Sequence, residues 1–139
     1  MKLGISACSF PLNHSIPQGL KLAKRSGFDC VELSVSKDGY LTPDSNRDAA
    51  ELFRLSVENM SLELSSLALE APWVDAAGSE NIVSKCLRMC SWLGAGTLMV
   101  TPDAVADTVP LEISCERITA ALRQIAGAAE QFGVNIGIR

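Results

Sequence analysis

The order of its segments constrains the fold of this chain more than any other feature. Short apolar segments, typical of buried strands, alternate with longer segments in which apolar residues recur every three or four positions, as in amphipathic helices. The predicted strands cover residues 3–7, 28–35, 62–69, 97–100 and 134–138. No hairpin turn separates consecutive strands, so the sequence predicts an α/β fold of parallel strands joined by helical crossovers.

Capping residues predict where the intervening helices begin and end. The predicted first residues or N-caps are, in chain order, Ser15, Asp44 or Ser45, Ser79 and Ser114. Three helices end at glycines, which are Gly27, Gly94 and Gly133. The second helix runs to about Met60, and a polar loop over residues 37–43 precedes it.

Two architectures have this alternation, an open doubly wound sheet and a closed barrel of eight strand-helix units. A dinucleotide-binding sheet carries a glycine-rich turn after its first strand, but residues 8–14 contain no glycine. Gly94 and Gly96 follow a helix and precede a strand, which is the wrong context for a phosphate-binding loop. The sequence therefore gives no support to a dinucleotide site.

Composition excludes several classes of protein. The chain of 139 residues is 47% hydrophobic with a formal net charge of −4, which argues against disorder and against a nucleic-acid partner. Its five cysteines include no Cys-x-x-Cys pair, and His14 is the single histidine, so we expect free thiols and a cytoplasmic protein. No apolar run reaches the roughly 18 residues that a membrane span needs, and we expect no membrane association.

Five segments of the chain resemble the sugar isomerase and epimerase family with the xylose isomerase-like barrel, which also includes apurinic endonucleases. Taken in order, the segments are residues 1–6 (MKLGIS), 23–33 (AKRSGFDCVEL), 62–67 (LELSSL), 90–100 (CSWLGAGTLMV) and 129–138 (AEQFGVNIGI). The resemblance implies a (β/α) TIM-barrel type fold. A complete barrel takes about 250 residues, so residues 1–139 are interpreted as one partial barrel domain that ends after about the fifth strand.

The resemblance also implies a reaction. Members of the family move a proton next to the carbonyl of a sugar or sugar phosphate, with a divalent metal (Mn²⁺, Mg²⁺, Co²⁺ or Zn²⁺) that polarises the carbonyl. The first metal ligand of the family is a glutamate at the end of the fifth strand, and the position in this sequence is Arg139. We therefore expect no metal to be bound by this chain alone, and we assign no catalytic residue.

Candidate substrate-binding residues lie where strands run into the loops that follow them, because barrel active sites open at the carboxyl ends of strands. Glu32 is a carboxylate inside an apolar strand and needs a partner; the alternative is a salt bridge at the rim. Ser6 and Ser66 can bind sugar hydroxyls or be ordinary rim positions. His14 and Trp73 lie in the loops after the first and third strands, and the alternatives are an exposed histidine and a tryptophan packed on a helix.

Two other functions stay open at this point. An apurinic endonuclease-like hydrolase would need several metal-binding histidines at strand ends, whereas this sequence has one histidine. A half-barrel without catalytic activity would expose its sheet edges and would self-associate as a homo-oligomer or pair with a missing C-terminal half.

Overall fold

A computed structural model of the chain describes residues 1–74, 79–102 and 109–139. Within these residues, five strands form a single parallel sheet, with β1 at Gly4–Ser6, β2 at Cys30–Val35, β3 at Glu63–Leu69, β4 at Thr97–Val100 and β5 at Asn135–Ile138. The helices between them are α1 at Ile16–Arg25, α2 at Arg47–Asn59, α3 at Ser79–Leu93 and α4 at Leu111–Phe132. The alternation predicted from the sequence is confirmed.

The order of the strands in the sheet distinguishes the two architectures. Each strand pairs with the next one along the chain, in the order β1-β2-β3-β4-β5, and every pair is parallel. A doubly wound sheet reverses direction and places later strands on the other side of the first, whereas a barrel continues in one direction. The described sheet is therefore the barrel type, with five of the eight strands that close a complete barrel.

The sheet has an outer face against the helices and an inner face that would line the barrel. Along β2, Val31, Leu33 and Val35 are fully buried in a core shared with the helices. The alternate residues Cys30 and Glu32, together with Ser34, are only partly buried and lie on the inner face. A strand turns successive side chains to opposite faces, so one segment serves both the core and the inner surface.

Two helices begin at other residues than the sequence predicted. The N-cap of α2 is Asn46, whose Oδ1 accepts a hydrogen bond of 2.9 Å from the amide of Ala49. Ser45 is not the cap, because its Oγ accepts a hydrogen bond from the amide of Thr42 in the preceding turn. Helix α4 begins at Leu111 after Pro110, so Ser114 is inside the helix and its Oγ donates to the Pro110 carbonyl.

The remaining boundaries agree closely with the sequence. Ser15 begins α1 through a capping box in which its amide donates to Gln18 Oε1, at 2.8 Å. Gly27 and Gly133 end helices with φ of +86° and +64°, which a side chain would strain. Strand β1 stops at Ser6 rather than at residue 7, because Ala7–Ser9 form a short 3-10 helix. None of the helices in the described part of the chain is long and apolar enough to cross a membrane.

Candidate functional site

A row of three polar residues crosses the inner face, from Ser6 at the end of β1 through the middle of β2 and β3. Ser6 of β1 is paired with Glu32 of β2, and Glu32 is paired with Ser66 of β3. Directly paired residues of neighbouring parallel strands point to the same side of a sheet. Three of the five residues predicted to bind substrate are therefore brought together.

An irregularity in β3 produces this row. Val31 is paired with Leu64, but the next residue, Glu32, is paired with Ser66, so Ser65 is an additional residue in β3. Its Oγ donates a hydrogen bond of 3.0 Å to the Val31 carbonyl. A bulge of this kind redirects the side chains that follow it. If the pairing were regular, with no bulge, Glu32 would be paired with Ser65.

The carboxylate of Glu32 is the charged centre of the site. Its Oε2 accepts a hydrogen bond of 2.9 Å from Ser66 Oγ, and its Oε1 accepts one from Nη2 of Arg139. The Glu32 side chain is only 14% exposed, and that of Arg139 is 43% exposed. A carboxylate this buried requires a hydrogen-bonded counter-charge, and the guanidinium provides it.

Arg139 follows β5, and its side chain reaches across the inner face to Glu32 of β2. Its backbone amide donates to the carbonyl of Val100 at 3.0 Å, which continues the pairing of β5 with β4 beyond Ile138. Its Nη1 lies 3.6 Å from Oε1 of Glu70, the residue that follows β3. The hydrogen bond to Glu32 is the main cause that raises the pKa of Arg139, so this guanidinium is always charged. The ion pairs connect the middle of β2 with residues just beyond the carboxyl ends of β3 and β5.

Ser6 contributes a hydroxyl without a partner. Its Oγ is buried and is the one buried side-chain oxygen or nitrogen in the described part of the chain for which no hydrogen-bond partner is found. Buried polar groups are nearly always hydrogen-bonded, so a buried hydroxyl without a partner beside the Glu32 carboxylate marks a place where a ligand or water is expected. The hydroxyl lies in the same row as Glu32.

His14 and Trp73 lie away from this row. His14 is exposed, with Nδ1 3.0 Å from Oδ1 of Asn13, and it lines an apolar groove with Tyr40 and Phe53 between α1 and α2. Trp73 is 1% exposed, and its Nε1 donates to the Thr101 carbonyl at 2.8 Å. This burial favours the alternative of a packed tryptophan, and contact of Trp73 with a sugar stays a prediction.

Arg139 and Tyr40 were not among the predicted site residues. The hydroxyl of Tyr40 accepts a hydrogen bond of 3.1 Å from the amide of Ser34, and burial raises the pKa of this phenol. Strand β1 pairs with β2 only as far as Glu32, so Tyr40 satisfies an amide that β1 does not reach. An aromatic residue in an otherwise polar loop was the available signal for Tyr40.

The described residues do not fit the divalent metal that the resemblance implies. Among residues 1–74, 79–102 and 109–139, no group of three histidine, cysteine, aspartate or glutamate side chains is placed to hold a metal ion. The carboxylates of Glu32 and Glu70 both face the guanidinium of Arg139.

Comparisons with known proteins agree with the barrel-type fold. The sequence profile of a family described as "Xylose isomerase-like TIM barrel" matches residues 20–139. Among curated proteins, none matches the chain significantly in sequence.

Several solved structures share the fold. A sugar phosphate isomerase/epimerase from Parabacteroides distasonis superimposes with a TM-score of 0.75 and 16% identity, over 99% of this chain and 50% of its own. An L-ribulose 3-epimerase gives 0.72 and 20%, over 99% and 49%. The IOLI protein, with a bound zinc atom, gives 0.77 and 19%, over 99% and 51%. The chain thus spans about half the length of these structures.

Proposed function

The chain belongs to the xylose isomerase-like TIM barrel family, and from this premise we propose that residues 1–139 form the sugar-contacting N-terminal part of a sugar or sugar phosphate isomerase or epimerase. The observation that carries the proposal is the row of Ser6, Glu32 and Ser66 on the inner face, whose carboxylate is bound by Arg139 just beyond the carboxyl end of β5. Barrel enzymes of this type bind their substrates at the carboxyl ends of the strands.

The chemistry of the row suits a polyol. A carbohydrate offers adjacent hydroxyl groups, each of which donates one hydrogen bond and accepts others. Glu32 is a charged acceptor, and Ser6 has a buried hydroxyl with no partner in the described structure. Hydrogen bonds to a charged group are stronger than those between neutral groups, so Glu32 is the principal contact that we propose.

The residues of this chain would bind and orient the sugar. Proton transfer next to a carbonyl needs a base within hydrogen-bond reach of the carbon-bound proton and a positive group near the carbonyl oxygen. Ser66 and Arg139 fix the Glu32 carboxylate, so that it holds one orientation in the sheet. A metal-dependent reaction would require ligands other than the residues described for this chain.

Binding of sugars to the purified chain tests the proposal. We expect a panel of keto sugars and their phosphates, titrated by amide NMR, to shift the signals of Ser6, Glu32 and Ser66. Glu32→Gln should weaken binding by at least about tenfold, because it removes a charged acceptor. Glu63→Gln is the matched control, since Glu63 is a carboxylate at the opposite end of the same sheet, paired with Lys2. Equal weakening by both variants, or no binding by the unmodified chain, would contradict the proposal.

A half-barrel that assembles with another polypeptide is the second candidate, and one observation favours it. The outer edges of β1 and β5 have no neighbouring strand among the described residues. Leu3 and Ile138, which lie at these edges, are about half exposed. Unpaired edges of parallel strands recruit other strands. We expect light scattering of the chain to report an oligomer, and a stable monomer would count against this candidate.

A further inference from the structure

The mouth cluster, defined as Glu32, Glu70 and Arg139, does not match the metal centre expected of the fold. We propose that the Arg139 guanidinium is a built-in cation that takes the place of a divalent metal, so that the cluster binds no metal while Arg139 is present. The proposal concerns these three side chains and stands whether or not the chain binds a sugar.

Charge balance is the first argument. The cluster contains two carboxylates, and Glu32 is largely buried, so a cation is required beside it. Arg139 supplies that cation with a hydrogen bond to Glu32 and a longer ion pair to Glu70. The positive charge that a metal would contribute is already present in the covalent chain.

Geometry is the second argument. Hard divalent cations bind carboxylate oxygens at about 2.0–2.6 Å, and Oε1 of Glu32 is occupied by Nη2 of Arg139. An ion bound to that oxygen would have to displace the guanidinium or lie next to it, and like charges at such short distances repel. The guanidinium therefore blocks the ion sterically and electrostatically.

The position of Arg139 in the sheet is the third argument. Its backbone amide is hydrogen-bonded to the Val100 carbonyl, and Gly137, two residues earlier on the same face, packs against Met99. A Cβ on Gly137 would lie 2.5 Å from Met99 Sδ, so the Met99 side chain covers Gly137 on this face. The start of the Arg139 side chain is thus fixed on the inner face.

Manganese binding by the full chain tests the proposal. Free Mn²⁺ is counted by electron paramagnetic resonance, and the thermal midpoint is measured with and without the ion, in the absence of sugar. For the unmodified chain we expect no bound ion and no change in midpoint. Arg139→Gln should bind one Mn²⁺ ion, and saturation should raise its midpoint by about 3 °C or more.

Three further variants make the result specific. Combining Glu32→Gln with Arg139→Gln should abolish the gained site, and Arg139→Lys, which keeps the charge, should bind no ion. Arg47→Gln, which breaks the exposed pair of Arg47 with Glu51, should gain no site. One bound ion on the unmodified chain that Glu32→Gln removes, or no bound ion on Arg139→Gln, would overturn the proposal. If Arg139→Gln does not fold, the number of Mn²⁺ ions bound by the unmodified chain and by Arg139→Lys tests the proposal instead.

A failure of this proposal is distinguishable from a failure of the proposed function. Mn²⁺ binding depends on Glu32, Glu70 and Arg139, and is read without sugar. Sugar binding is read from the amide signals of Ser6, Glu32 and Ser66, in the absence of metal.

Discussion

The two faces of the β-sheet differ in what their side chains do. On the outer face of β2, Val31, Leu33 and Val35 have no exposed surface and belong to the core shared with the helices. On the inner face, Glu32 and Ser34 are polar and partly exposed. The two sets alternate along six residues of one strand. Stability and binding chemistry are thus carried by neighbouring residues, so single substitutions can separate them.

The largest effect is expected on the outer face. Leu33→Ala removes buried methyl groups and leaves a cavity, which should lower the free energy of unfolding by about 2–5 kcal/mol. Ser34→Ala, its neighbour on the other face, removes a hydroxyl that contacts Tyr40 and should cost about 1 kcal/mol or less. Urea unfolding measures both. Equal losses of unfolding free energy would mean that the two faces contribute equally to stability.

Two buried thiols of α3, in the core on the outer side of the sheet, should make the stability of the fold depend on pH in the alkaline range. Burial raises the pKa of Cys86 and of Cys90 to about 12, from 9.0. Between these values the unfolded chain has lost protons that the folded chain keeps, so stability should fall as the pH rises above 9. The slope is about 1.4 kcal/mol per pH unit for each thiol.

Unfolding free energies at pH 9, 10 and 11 measure this slope, and replacing both cysteines by alanine should flatten it. Thiol labelling at pH 8 gives an independent check. The exposed Cys8 and Cys115 should react at once, whereas Cys86 and Cys90 should react only after unfolding. An unchanged slope in the double variant would show that other groups dominate.

A smaller effect is expected for the carboxylate of the inner face. Glu32→Gln should lower the free energy of unfolding by about 1 kcal/mol, because it weakens a hydrogen-bonded pair whose arginine is 43% exposed and therefore screened by water. Thermal and urea unfolding measure this cost. A loss of several kcal/mol would show that the inner face also carries the stability of the fold.

The smallest effect is expected at the opposite end of the same face. Lys2 and Glu63 form an ion pair of 2.6 Å, but their side chains are 62% and 64% exposed. Both side chains of this pair are hydrated, so Glu63→Gln should change the unfolding midpoint by less than the experimental error. A measurable loss would remove the distinction between the two ends of the inner face.

Local signals predicted most of the fold, since apolar periodicity, the Ser15 cap and the helix-ending glycines act over a few residues. The cap of α2 was misassigned because Asp44, Ser45 and Asn46 are all able to cap a helix, and the hydrogen bonds of the preceding turn select Asn46. Ser6 lies at a strand end as predicted, whereas Glu32 and Ser66 lie inside β2 and β3, each of which runs three residues further. The sequence did not predict the contact of Arg139 with Glu32, because the two residues are 107 positions apart. Burial of Trp73 likewise depends on a distant carbonyl, that of Thr101.

The extra residue in β3 also has a consequence for protein engineering. Because side chains alternate with a period of two, Leu64 and Leu67 can both face the helices only if one additional residue lies between them, and Ser65 is that residue. Deleting Ser65 would leave Leu64, Ser66 and Leu67 in regular alternation, with Ser66 still on the inner face. A chimaera that joins this half to a foreign C-terminal half can therefore use a β3 without this one residue, whereas a deletion in the regular part of β3, after Leu67, would reverse the faces of the residues that follow it.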